Sequence, residues 1–268
     1  MKKNRFAEFF QKLNKRALIG KAFLACFVVM LGFFNTPAAA RQPDALTRAD
    51  LLYAKGTMDS LRQSVALYKQ AAQHQPDSYE AFWKAARSCR VIVRKAVIDE
   101  LADLEQIGAA FGKQGMELAE KAIALEPEKV EGHYYYAVNV GGYAKGASIW
   151  SIIREGLKDK AQKHLNKAYE IDRKYNGFVL LMHMGLYYEV LPWFAGRDTD
   201  KALEFYREAL LLMPEQSLYR SQLLVLAGKL MLDQGVEENR ARQLLRKVAE
   251  SDSRYFRSKA LKILAEHG

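Results

Sequence analysis

Five histidines and two cysteines are the side chains of this 268-residue chain best suited to hold a metal or move a proton, and their placement argues against both uses. His74, His133, His164 and His183 lie far apart, and His267 stands beside the last residue. No two are spaced i,i+4 so that one helix face offers both to a metal, and neither HExxH nor CxxC occurs. Cys26 falls inside an apolar run, and Cys89 reads as a small buried hydrophobe. Gly141-Gly142 with Gly146 lacks the preceding strand and the following Gly-Lys-Ser/Thr of a phosphate loop. There is no Gly-x-Ser-x-Gly turn to present a nucleophile. The sequence therefore predicts a protein that is not an enzyme and uses neither metal nor cofactor.

Two aromatic segments suit binding better. In the first, Gly132 to Trp150, Tyr136, Asn139 and Tyr143 add polar tips to a run rich in small residues, and Trp150 closes it. A mainly apolar pocket with a few polar groups is what a ligand site needs; the same tyrosines also suit packing between helices with their hydroxyls bonded. In the second, Tyr187 to Asp198, Pro192 ends a helix and Trp193-Phe194 leads to a turn at Gly196. Trp193 and Phe194 either form a binding surface or staple onto the following helix. Tyr136, Asn139, Tyr143, Trp150 and Trp193 are the candidate ligand or partner residues.

The elements that must position them repeat. Copies begin Ser64-Val65-Ala66-Leu67-Tyr68, Glu117-Leu118-Ala119-Glu120-Lys121-Ala122, Ala161-Gln162-Lys163-His164-Leu165, Lys201-Ala202-Leu203-Glu204-Phe205-Tyr206 and Ala241-Arg242-Gln243-Leu244-Leu245. Each carries one apolar stripe at helical spacing, with small residues such as Ala202 and Ala209 for close approach. Pro76, Pro127 and Pro214 stop three of these helices, and a second helix folds back. This is the tetratricopeptide pattern, and it predicts an all-α solenoid of about five antiparallel helix pairs over 59–268. The expected pairs are 59–74 with 78–103, 104–125 with 129–146, 150–171 with 177–191, 199–212 with 216–234, and 238–251 with 254–267. Equivalent positions Pro76, Pro127, Arg173, Pro214 and Ser253 step by 51, 46, 41 and 39 residues, all longer than the usual length of about 34. The largest excesses flank 88–114 and 140–158, where extra residues lengthen helices or form loops.

Residues 1–40 read as a cleavable secretion signal: seven basic residues, the apolar run 22–34, then Thr36-Pro37-Ala38-Ala39-Ala40 before Arg41. This predicts a periplasmic protein, with tethering as the alternative, and leaves 41–58 as a linker and capping helix. The segment holds seven of the 41 basic side chains and one of the 31 acidic ones. The remainder carries 34 basic against 30 acidic, a net +4, so the basic pI gives nucleic-acid binding little support. With Cys26 removed, Cys89 has no partner for an intrachain disulfide.

The signal, the stretch at 135–146 ending Gly141-Gly142-Tyr143-Ala144-Lys145-Gly146, the run Pro192 to Asp198 leading into Lys201-Ala202, and the closing repeat together resemble the T-component family of TRAP transporters. That family's Gly-Gly-Asp-like turn reads Gly196-Arg197-Asp198 here. Its frequent lipoprotein anchor is poorly matched, because Phe23 precedes Cys26 by three. The resemblance implies a non-catalytic accessory protein that associates with a periplasmic substrate-binding protein of a TRAP-type transporter. It also implies self-association and a passage for a small organic or hydrophobic ligand. The alternative is a periplasmic tetratricopeptide scaffold that binds peptides or proteins in envelope assembly or secretion.

Overall fold

The structure is a computed structural model that describes residues 44–268; the expected secretion signal, residues 1–40, lies outside the described residues. Twelve α-helices and one 3-10 turn make up the described chain, with no strand among them. They are α1 (Ala45–Lys55), α2 (Met58–His74), α3 (Tyr79–Ile98), α4 (Leu104–Leu125), α5 (Val130–Tyr143), α6 (Ile149–Arg154), α7 (Leu157–Ile171), α8 (Tyr175–Val190), α9 (Thr199–Leu212), α10 (Arg220–Asp233), α11 (Glu238–Ala249) and α12 (Arg254–Glu266). The five expected pairs are present, and α1 precedes them within the segment 41–58 expected as linker and capping helix.

Local chemistry sets the boundaries. Thr57 and Ser60 form a reciprocal capping box at α2, and Asp198 caps α9 by accepting from the Lys201 amide at 2.9 Å. Where the third repeat lacks proline, the Asp172 carboxylate accepts from the Lys174 amide at 2.9 Å and turns the chain instead. Gly235 follows α10 in the left-handed conformation. One expected helix is divided: 150–171 breaks into α6 and α7 at Gly156, which takes φ +65°. The start of α8 departs more sharply, because Asn176, Gly177 and Phe178 all have positive φ and regular helix begins after them.

Successive helices pack antiparallel into two layers. In one, α3 packs on α5, α5 on α8, and α10 on α12; no comparable packing joins α2, α4, α7, α9 and α11. The first layer is therefore the inner side of a curved solenoid and the second its outer side. The long repeat steps are absorbed mainly by helix length, since α3 has 20 residues and α4 has 22.

The core is continuous between the layers. Ala202, Tyr206 and Ala209 are fully buried, and the Tyr206 hydroxyl donates to Glu189 at 2.5 Å. The helices α4 and α5 approach closely: a Cβ added at Gly112 would lie 2.2 Å from the Tyr143 amide nitrogen. Among the described residues no helix is long and apolar enough to cross a membrane.

Candidate functional site

The sequence-expected residues fall in three places. Tyr136 and Asn139 are in the core, at 1% and 0% exposure. Tyr136 tilts against the His164 ring of α7 at 4.5 Å. The Asn139 amide donates to the carbonyls of Ala86 at 3.0 Å and Tyr135 at 2.7 Å, tying α5 to α3. Tyr143 is half-buried at the end of α5, beside Gly112. Trp150 and Trp193 are exposed, at 67% and 85%, and bracket Phe194. Trp150 stacks on Phe194 at 5.4 Å, and Trp193 meets its edge at 5.7 Å. Trp193 also borders a shallow cavity of about 360 Å³ that Arg197 and Leu230 help to line.

The inner face holds a constellation those expectations did not include. Ser78 caps α3 by accepting from the Ala81 amide. Ala85, Ala86, Cys89, Ile92, Val93 and Ala96 turn one face of α3 into the core. The spacing of Arg87, Arg90 and Arg94 then sets all three on the remaining, inner side. Arg87 stacks over Tyr53 of α1 at 3.8 Å and over Trp83 at 5.0 Å. Arg94 stacks over Tyr219 at 4.6 Å and donates to the Leu218 carbonyl at 3.1 Å, so α3 touches the start of α10 across the curve. Between them, Trp83 stacks on Tyr135, and Tyr134 and Tyr135 meet Tyr175 edge-on.

Carboxylates are scarce along this row. Asp50 approaches Arg87 only at 4.0 Å and is already held by Lys84 and Tyr68. Arg90 and Arg94 have no acidic partner among the described residues. The Nε atoms of Arg87 and Arg94 are buried without a hydrogen-bond partner. Burial and the like charge of Arg90 lower the pKa of Arg94. Lys145 is exposed as a residue, yet partial desolvation of its ammonium and the positive fields of Arg90 and Lys259 lower its pKa too. His183, buried behind the row, has its pKa lowered to about 3 by burial and then by Arg90. These shifts share one cause, a low-dielectric surface that gathers cations without counter-ions.

A histidine pair lies nearer the outer layer. His133 Nε2 is 2.7 Å from the Pro127 carbonyl, so it must carry hydrogen; Nδ1 then accepts from His164 Nδ1 at 2.7 Å. The pair joins α5 to α7. No group of three His, Cys, Asp or Glu side chains among the described residues is arranged to hold a metal ion.

Curvature and paired helices define a tetratricopeptide-like helical solenoid. The tetratricopeptide protein TTC0263 of Thermus thermophilus has the same fold, with a TM-score of 0.57 at 19% identity over 82% of this chain and 97% of that one. The chain belongs to the family described as regulator of microtubule dynamics protein 1-3, which matches residues 45–190, over half of its length. Regulator of microtubule dynamics protein 1 of Mus musculus is 24% identical over 217 residues, covering 73% of this chain. The chain spans 63% of that relative.

Proposed function

We propose that this protein is a non-catalytic binding module that holds a partner polypeptide along the inner face of its solenoid. The observation that carries the reading is the row Arg87, Arg90 and Arg94, approached by a carboxylate only at its Arg87 end among the described residues and set among tyrosines on the side toward which the solenoid curves. Flat aromatic rings with hydroxyl tips bind with little loss of side-chain freedom, and stacked guanidinium groups keep their in-plane donors available. The name of the mouse relative concerns microtubules, which are protein filaments, and a protein occupant is in keeping with it.

A photo-crosslinking residue placed at Tyr53 or Tyr219 on the inner face, or at Gln70 on the outer layer, tests this in cells. Capture of one partner from the two inner positions and not from Gln70 supports the reading; capture from Gln70 alone overturns it. The identity of the partner decides its finer form. A solute receptor of a TRAP-type transporter makes the protein the transport accessory that the sequence resemblance implies. An assembly or secretion component makes it an envelope scaffold.

A further inference from the structure

We infer that the Arg87–Arg90–Arg94 row is an anchor for an acidic, extended polypeptide segment, whose carboxylates it binds one after another. This rests on the inner face being the binding surface and names the chemistry that the surface selects.

Three features favour a chain over a single small anion. Arg87 and Arg94 are seven residues apart on one helix, which separates their backbones by about 10 Å along the axis. One phosphate group is too small to reach both ends of the row. Side chains on one face of an extended peptide recur at about 7 Å, so two acidic residues of one strand span much of that length. The rings also hold the row in place: the Arg87 guanidinium lies over Tyr53 and that of Arg94 over Tyr219, with one Arg94 donor given to the Leu218 carbonyl and both Nε atoms buried without a partner. A guanidinium stacked by its face still offers its edge to a carboxylate in the bidentate geometry. Finally, the field is one-signed. Arg90 lies near enough to Arg94 and Lys145 to lower both their pKa values, and among the described residues only Asp50 approaches the row, at its Arg87 end. Like charges gathered at a partly desolvated surface repel, and an arriving chain of carboxylates relieves that repulsion.

Arg90 is the residue to change. It is half-buried and has no ion pair or hydrogen bond among the described residues, so Arg90→Gln removes a repelling charge without opening the core. The probe is fluorescein-labelled decaglutamate, with labelled decalysine as the opposite-charge control. Fluorescence anisotropy on the full chain should show decaglutamate binding that weakens as salt rises, and no decalysine binding. Arg90→Gln should weaken decaglutamate about tenfold or more, as loss of a charge-assisted contact does. Arg90→Lys should fall between, and Lys69→Gln, in the separate outer groove between α2 and α4, should bind as wild type. The melting temperature of Arg90→Gln should hold or rise.

Absence of decaglutamate binding, or an Arg90→Gln variant that binds as wild type, overturns the inference. So does binding to phosphatidate-containing vesicles that Arg90→Gln abolishes while decaglutamate is ignored, because the row would then serve a lipid headgroup. Crosslinking from Tyr53 and Tyr219 distinguishes the two levels. If the inner face captures a partner yet decaglutamate fails, the acidic-segment assignment falls and the binding-module reading stands.

Discussion

Lowering the pH from 7 to 5 should weaken the fold through one buried histidine, and the size of the effect follows from the structure. His183 is 6% exposed, its Nδ1 lies 3.1 Å from both the Val179 carbonyl and the Tyr134 hydroxyl, and its Nε2 is buried without a partner. Protonation would place a charge there beside Arg90 and Arg94, and the pKa falls from 6.5 to about 3. Above about pH 6.5 the side chain is neutral in both states, and it does not affect stability. Below that value the unfolded chain takes up a proton that the folded chain refuses, so stability falls as the pH drops toward the folded pKa. At pH 5 folded His183 is still neutral, so the loss is set by the unfolded value alone and comes to about 2 kcal/mol relative to pH 7. His164, lowered to about 4 by burial and His133, acts in the same direction but less, because it is partly exposed. Burial raises the Glu189 carboxyl pKa, and its titration opposes the trend. The clean comparison is therefore wild type against His183→Gln, in which Glu189 cancels. Urea unfolding at both pH values, followed by tryptophan fluorescence, should show the variant losing about 2 kcal/mol less than wild type on acidification. Equal losses in the two proteins would refute the argument.

Three further outcomes follow from packing. Gly112→Ala places a methyl group against the Tyr143 backbone, must part α4 from α5, and should lower stability by about 2 kcal/mol or more, read by thermal unfolding. In a Cys26→Ser background, the buried Cys89 thiol, pushed up to about 12 by burial, should react with a disulfide reagent only as fast as the protein opens; rapid reaction in the folded state would contradict its placement. Trp193→Ala should change stability by less than about 0.5 kcal/mol, because the ring is 85% exposed, and a larger loss would show that it holds α9 in place.

The fold was more legible in the sequence than the site, for physical reasons. Stripes such as Ala202, Tyr206 and Ala209, with a stop at Pro214, are local patterns, and the helices they specify form where expected. Asp172 replaces a proline through a side-chain hydrogen bond that residue type alone indicates only weakly. The break at Gly156 was available as a glycine between Ile149 and Ile171, yet the apolar period runs through it.

The proposed binding surface depends on curvature. Tyr53, Arg94 and Tyr219 belong to three distant segments, and only the closing of the inner layer brings Arg94 onto Tyr219 and the Leu218 carbonyl. The arginine spacing on α3 was itself readable as one helix face. Aromatic density instead drew attention to Tyr136, Asn139 and Tyr143. Asn139 is buried because a neighbouring glycine lets α4 close over it, since a Cβ at Gly115 would meet Asn139 at 2.3 Å, and Tyr136 is buried against His164 of α7.

The three tryptophans separate the candidate surfaces. Trp83 lies on the inner face against Tyr135 and Arg87, whereas Trp150 and Trp193 flank Phe194 elsewhere on the surface. The most direct test of the account is the indole N–H region of a nitrogen-15 NMR spectrum recorded while decaglutamate is added. The account predicts that the Trp83 signal moves and that those of Trp150 and Trp193 stay in place. Movement of Trp150 or Trp193 with Trp83 unchanged would contradict it.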